Sequence, residues 1–208
     1  MKAPAPESAP AHDAETLAFY DREAETYAAR PHAARFERLH RFLALAPPGG
    51  TILELGTGGG RDAAEMIRLG FDVTPTDGSA GLAAVATRTL GRPVRLMRFE
   101  TLDEVAAFDG VWANASLLHA PLERLGGILG RVRRALTPGG RFFATFKAGD
   151  GPGRDSLGRY YNFPSEAMLR AAFAEGGPWA SLEIEHDHGG GYDGVERDWL
   201  ICWAVAPS

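Results

Sequence analysis

Apolar positions along the chain follow two periods in turn. From Glu15 to Leu45 the spacing is helical: Leu17, Tyr20, Ala24 and Tyr27 recur every three or four residues, and Phe36, Leu39, Phe42 and Leu43 continue the pattern. Pro47–Gly50 ends this stretch. A regular alternation then begins. TILELG (51–56), FDVTPTD (71–77), VRLMRF (94–99), FDGVWANAS (108–116) and RFFATFK (141–147) read as strands. Between them lie helices at 61–70, at 80–90 with Ser79 as cap and Gly91 as stop, and from Pro121 to Leu136, with TPGG (137–140) as a turn. After a helix at 165–175, SLEIEHD (181–187) and DWLICWAVA (198–206) are joined by the glycine-rich HGGGYDGVER, which predicts a hairpin. Alternating strands and helices predict a parallel sheet with helices on both faces, and the hairpin makes at least one late strand antiparallel. One local conflict stands: Pro75 lies inside the second strand, where it removes a ladder donor.

Residues 1–14, rich in Pro, Ala and Ser, lack apolar periodicity and predict a flexible arm. The rest, 15–208, has the length of one domain. With 45% hydrophobic and 24% charged residues, a wholly disordered chain is excluded. No stretch is apolar enough for a membrane span, and the first residues lack the apolar region of a secretory signal. The single cysteine, Cys202, suits a reducing cytoplasm. A net charge of −5 argues against nucleic-acid phosphates as the main partner. It leaves a small molecule as the expected substrate, and monomer or homodimer as the assembly.

The chemistry concentrates in ILELGTGGGRD. Gly56, Gly58 and Gly60 directly follow a buried strand and precede a helix, the crossing where open parallel sheets bind ligands. A dinucleotide fingerprint requires glycine at 61, where Arg61 stands. Glu54, inside the strand, would repel a pyrophosphate and instead suits a ligand carrying ammonium or sulfonium charge.

The run E-L-G-T-G-G-G resembles motif I of the Rossmann-like, class I S-adenosylmethionine-dependent methyltransferases, acidic-x-G-x-G-x-G. The resemblance continues in order. Asp77 ends the second strand 17 residues after Gly60, where the family places an acid that accepts both ribose hydroxyls. Phe99, Glu100 and Thr101 end the third strand, where the family flanks adenine. Asn114, Ala115 and Leu117 end the fourth, where it lines the methionine and methyl end, and LTPGGRFFATF is similar to its L-x-P-G-G turn and fifth strand. FYDREAETYAAR (19–30) resembles the segment Y-D-x-x-A-x-x-Y, which in such enzymes forms a helical lid, so 15–46 is expected to be a lid region with Tyr20 and Tyr27 near the cofactor. There is a looser resemblance to small bacterial methyltransferases linked to tellurite resistance or to small metabolites.

The resemblance implies an α/β, Rossmann-like, seven-stranded, mostly parallel sheet with helices on both faces and the last strand antiparallel. It implies a methyltransferase acting on a small-molecule acceptor, with S-adenosylmethionine as cofactor, S-adenosylhomocysteine as product and no metal. Thr57, Gly78 and Ser79 join the cofactor candidates; Asp62 and Arg61 either cap the helix or reach the methionine. Asp77 is read as a ribose ligand ahead of a cap for the helix that Ser79 starts, Glu54 could pair with an arginine, and the two tyrosines could be core aromatics. On the substrate side stand His119, Lys147, Arg159 and Tyr160, His119 being read as a positioning residue ahead of a base. No catalytic residue is evident. His186 and His188 read as solvated hairpin residues, and Trp112, Trp199 and Trp203 as sheet packing. The alternatives are a non-catalytic S-adenosylmethionine-binding or regulatory protein, and a nucleotide-cofactor oxidoreductase, which Arg61 and Glu54 disfavour.

Overall fold

The computed structural model describes residues 12–30 and 36–208; most of the expected amino-terminal arm lies outside them. The first helix, α1 (Ala14–Arg22), starts where the Asp13 carboxylate accepts from the Thr16 amide at 2.8 Å. It is followed by α2 (Ala24–Ala28) and α3 (Glu37–Leu43). Then come β1 (Thr51–Leu55), α4 (Arg61–Arg68), β2 (Asp72–Asp77), α5 (Ala80–Leu90), β3 (Arg95–Leu96) and β4 (Phe108–Ala113). The chain continues as α6 (Leu125–Ala135), β5 (Leu136–Lys147), a two-residue pair β6 (Gly153–Arg154) and β7 (Tyr160–Tyr161), α7 (Glu166–Glu175), β8 (Ser181–Gly190) and β9 (Glu196–Val205).

Seven strands form one sheet in the order β3-β2-β1-β4-β5-β9-β8. The pairs β1–β2, β1–β4, β2–β3 and β4–β5 are parallel, while β9 is antiparallel to both β5 and β8. The chain winds outward from β1 to β3 and then returns to β4 on the other side of β1. This order reversal opens a crevice at the carboxyl ends of β1 and β4.

Alternation along the strands divides the core. Leu53, Leu55, Val111, Ala113, Phe142 and Ala144 face α6 and α7. Ile52, Trp112, Phe143 and Trp203 face α3 and α4, with Trp112 stacked on Phe143 at 4.0 Å. Glu54 shares the parity of Ile52, so it stands on the α3–α4 face among these rings.

The third strand departs from expectation. It spans only Arg95–Leu96, and residues 99–101 form a 3-10 turn. Leu96 is 60% exposed, so this edge has little to bury, and the chain turns back towards the crevice. TPGG does not precede β5 but bulges out of it: Phe108 pairs with Leu136 and Gly110 next with Arg141. Pro75 is accommodated without loss. The Thr76 carbonyl points to β1, accepting from Gly56 and Thr57, and that of Asp77 points to β3, accepting from Met97. Position 75 therefore also faces β3, whose pairing begins only at Arg95 opposite Thr76.

Candidate functional site

The glycine turn sits at the mouth of the crevice. Gly56, Gly58 and Gly60 have φ of +79°, +56° and +87°, a region that side chains rarely adopt. At Gly56 a Cβ would also stand 2.5 Å from that of Ser116. The turn is pinned to β2, because the amides of Gly56 and Thr57 donate to the Thr76 carbonyl at 3.0 and 2.8 Å.

Three acids converge behind it. The Asp77 carboxylate accepts from the Gly58 and Ser79 amides, both at 2.9 Å, yet burial pushes its pKa up to about 6. Glu54 accepts from the Thr57 hydroxyl, not from an arginine. Burial first, then the neighbouring Asp62 carboxylate, push Glu54 up to about 8. Asp62 does not cap α4, whose N-cap is Gly60. It accepts from Trp112 Nε1 at 3.0 Å and Asn114 Nδ2 at 3.2 Å, and pairs with Arg61. Asn114 Oδ1 in turn accepts from Thr145 Oγ1, which accepts from the amide of Ala115, itself at φ +51°.

Two cavities meet at this turn. A narrow one of about 90 Å³ runs between Asp77, Gly78, Leu82, Met97, Phe99 and Glu100. A larger one of about 780 Å³ extends from Glu54, Gly58 and Asn114 past Tyr27 and His119 to Lys147, Tyr192 and Trp199. Tyr20 and Tyr27, with rings edge-to-face at 5.2 Å, line both.

The amino-terminal helices are held over these cavities by a buried polar chain. His119 Nδ1 lies 2.6 Å from the Tyr160 carbonyl, which only accepts, so Nδ1 carries the proton. Burial holds the ring neutral, with its pKa down at about 3. Nε2 therefore accepts from the Tyr20 hydroxyl at 2.9 Å, and that oxygen accepts from Arg159 Nη1 at 2.8 Å. Arg159 is forked on Asp155, and both side chains are fully buried. Its guanidinium also lies 4.9 Å from the Tyr192 ring, which packs on Tyr27 at 5.0 Å. Asp21 of α1 accepts from Ser79 Oγ and from the Gly81 amide, so α1 helps to cap α5.

Several residues expected at the site stand elsewhere. Gly60 begins α4 and packs on Leu90 and Ala86 of α5, and Ser79 caps α5 through the Leu82 amide. Thr101 is exposed, its hydroxyl on the Arg98 carbonyl, and Leu117 belongs to the α6–α7 core while Ser116 and Leu118 take the cavity walls. The Tyr160 hydroxyl turns away to the Leu122 amide, and Tyr161 is the ring that faces the cavity. Trp199 lines the cavity as well as packing the sheet. His186 and His188 are exposed, beside Glu166 and Asp198 respectively. Asp155 and Tyr192 carried no local sequence signal and reach the site only through tertiary folding, whereas Asp21 is the acid of the Y-D-x-x-A-x-x-Y segment.

A methyltransferase-domain profile matches residues 53–144, the span from β1 through most of β5. The crystal structure of the Burkholderia thailandensis 1,6-didemethyltoxoflavin-N1-methyltransferase, with 1,6-didemethyltoxoflavin and S-adenosylhomocysteine bound, superposes with a TM-score of 0.64 at 26% identity. That alignment covers 100% of this chain and 94% of the other. Residues 53–144 thus carry a methyltransferase domain. A methyltransferase structure from Methanosarcina mazei shares the fold at 16% identity with a TM-score of 0.71, covering 84% of this chain and 99% of that one. The ubiquinone biosynthesis O-methyltransferase of Paramagnetospirillum magneticum is 36% identical over 116 residues, 53% of this chain. The chain spans less than half the length of that relative, 44%. The profile match contains the glycine turn and the three acids, while α1, α2 and the β8–β9 hairpin, which close the larger cavity, lie outside it.

Proposed function

We propose that this chain transfers the methyl group of S-adenosylmethionine to a small-molecule acceptor in the cytoplasm. The observation that carries the reading is the convergence of a left-handed glycine turn with Asp77, Glu54 and the narrow apolar slot at one switch point. Asp77 has two carboxylate oxygens at the slot entrance, suited to a vicinal diol. Met97, Phe99 and Leu82 offer apolar walls to a flat base. Asp62 provides negative charge for an ammonium or sulfonium, and Glu54 adds to it where its buried carboxyl gives up its proton. S-adenosylmethionine supplies an already activated methyl group, so the protein's part is to align the acceptor and exclude water. The helices α1 and α2 act as the lid that does so, with Tyr20 and Tyr27 above the reacting end. His119 positions Tyr20: its one lone pair is engaged and its low pKa makes it a weak base.

S-adenosylhomocysteine should stabilise the protein by about 2.7 kcal/mol at a hundredfold excess over its dissociation constant. Thermal unfolding with S-adenosylhomocysteine, with NAD and without ligand checks this. A shift from NAD alone would overturn the reading. A second expected result concerns Asp77. Asp77→Ala removes hydrogen bonds to a charged acceptor worth about 1.5–3 kcal/mol, so affinity for S-adenosylhomocysteine should fall about ten- to a hundredfold. Titration calorimetry on the folded variant measures it, and unchanged affinity would return Asp77 to a purely structural role.

A further inference from the structure

Lys147, at the end of β5, is 2% exposed and lies against the larger cavity. An ammonium has three donors, and among the described residues its Nζ has no hydrogen-bond partner. Asp193 Oδ1, in the β8–β9 connection, stands 3.5 Å away and balances charge without satisfying those donors. Asp193 is itself engaged by Arg197 at 3.3 Å and by the Val195 amide at 3.4 Å. The Tyr161 ring lies 4.2 Å from Nζ and that of Trp199 5.9 Å. Gly191 keeps space beside the ammonium, since a Cβ there would come within 2.7 Å of Nζ.

Leaving a buried donor set unmet is costly, so its persistence points to a ligand. The local charge says which kind. Lys147, Arg159 and Arg197 bring three positive charges, and Asp155 and Asp193 bring two negative ones. One positive charge is left over. The cavity walls are rings: Tyr27, Tyr161, Tyr192 and Trp199. The position is also right for an acceptor. β5 runs three residues past the Ala113–Ala144 pair, so Lys147 lies beyond the end of β4 and lines the same cavity as Asn114 and Ala115.

We propose that Lys147 recognises an oxyanion on the methyl acceptor, a carboxylate or ring oxyanion of a small planar molecule held among these rings. The proposal rests on the methyltransferase reading above. It names the acceptor class: anionic and flat, in preference to cationic or aliphatic.

The test uses benzoate and its neutral isostere benzamide as probes, titrated into the full chain saturated with S-adenosylhomocysteine. Wild type should bind benzoate tenfold or more tightly than benzamide. Lys147→Met should abolish that preference, with the thermal shift from S-adenosylhomocysteine as the control for folding. Asp193→Asn removes the competing carboxylate and should tighten benzoate further, an effect a merely structural lysine would not give. Equal binding of the two probes by wild type, or a preference that survives in Lys147→Met, overturns the proposal. Should Lys147→Met fail to fold, Asp193→Asn decides: unchanged or weaker benzoate binding overturns it. Absence of the S-adenosylhomocysteine shift in wild type would count against the proposed function, whereas that shift without a carboxylate preference counts against Lys147 alone.

Discussion

Glu54→Gln should make the cofactor-free protein more stable at about pH 8 to 9, by several kcal/mol, and leave it unchanged near pH 4. Burial and Asp62 raise the Glu54 carboxyl from 4.5 to about 8 in the fold. Below 4.5 folded and unfolded chains both hold the proton, and position 54 gives no pH dependence. Between 4.5 and about 8 the unfolded chain releases it while the fold keeps it. The unfolded state then binds fewer protons, and stability falls by up to about 1.4 kcal/mol per pH unit. Above about 8 the accumulated loss is on the order of 5 kcal/mol. Glutamine keeps an acceptor for Thr57 and does not titrate, so it removes the slope. Asp77 follows the same sign between 3.8 and about 6, His119 the opposite sign between about 3 and 6.5, and the difference between wild type and Glu54→Gln cancels both. Urea unfolding of both proteins across this range measures the effect. A variant less stable than wild type at every pH would show that the carboxyl is not strained.

The same substitution should weaken binding of a cationic ligand above about pH 8, where the ionised Glu54 supplies a counter-charge that glutamine cannot. Stability lost in the empty protein is thereby linked to affinity in the loaded one, a frequent trade at binding sites. Asp77 and Glu54 sit together because β1 and β2 are parallel neighbours whose carboxyl ends coincide, with Glu54 paired to Pro75 and Leu55 to Thr76.

Much of this centre is local in the chain and hence legible in it. Gly56, Gly58 and Gly60 announce left-handed backbone, Ser79 and Gly91 mark the two ends of α5, and Asp77 stands where the family resemblance implies an acid. The parallel character of the sheet followed from strand–helix alternation, and an antiparallel late strand from the hairpin. What stayed hidden is tertiary. The ends of β3 depend on edge exposure, which spacing does not encode. Phe99 and Glu100 reach the narrow slot through a 3-10 turn, and Thr101, one residue on, points out. Tyr160 and Tyr161 are indistinguishable in composition, yet extended backbone sends their rings to opposite sides, and only the second meets the cavity. Tyr192 and Asp193, in a glycine-rich connection, face Tyr27 and Lys147 across more than forty residues of sequence. No periodicity reports such a contact.

Arg159→Met should free the amino-terminal helices without melting the sheet. The substitution strands Asp155, a fully buried carboxylate, with only the amides of Leu157 and of residue 159 as donors. Breaking a buried pair in this way costs about 3–5 kcal/mol. It also removes the donor to Tyr20 and the cation above Tyr192. What Arg159 holds through its side chain belongs to α1, to the loop carrying Asp155, to the neighbouring Tyr161 ring and to the β8–β9 connection. The cost should therefore surface as local opening, which needs less free energy than global unfolding. Three kcal/mol corresponds to roughly a hundredfold in an opening equilibrium. Amide exchange across 14–28 should accelerate by about that factor, while exchange in α6 stays near its wild-type rate. Because Tyr20 and Tyr27 line both cavities, affinity for S-adenosylhomocysteine should fall along with that protection. The ligand should also restore protection to 14–28 more than to α6, since it binds the closed arrangement. Equal acceleration in α6 and in 14–28 would make Arg159 a general support of the fold. Unchanged exchange in 14–28 would mean that Tyr27, Tyr192 and Asp21 hold the helices by themselves.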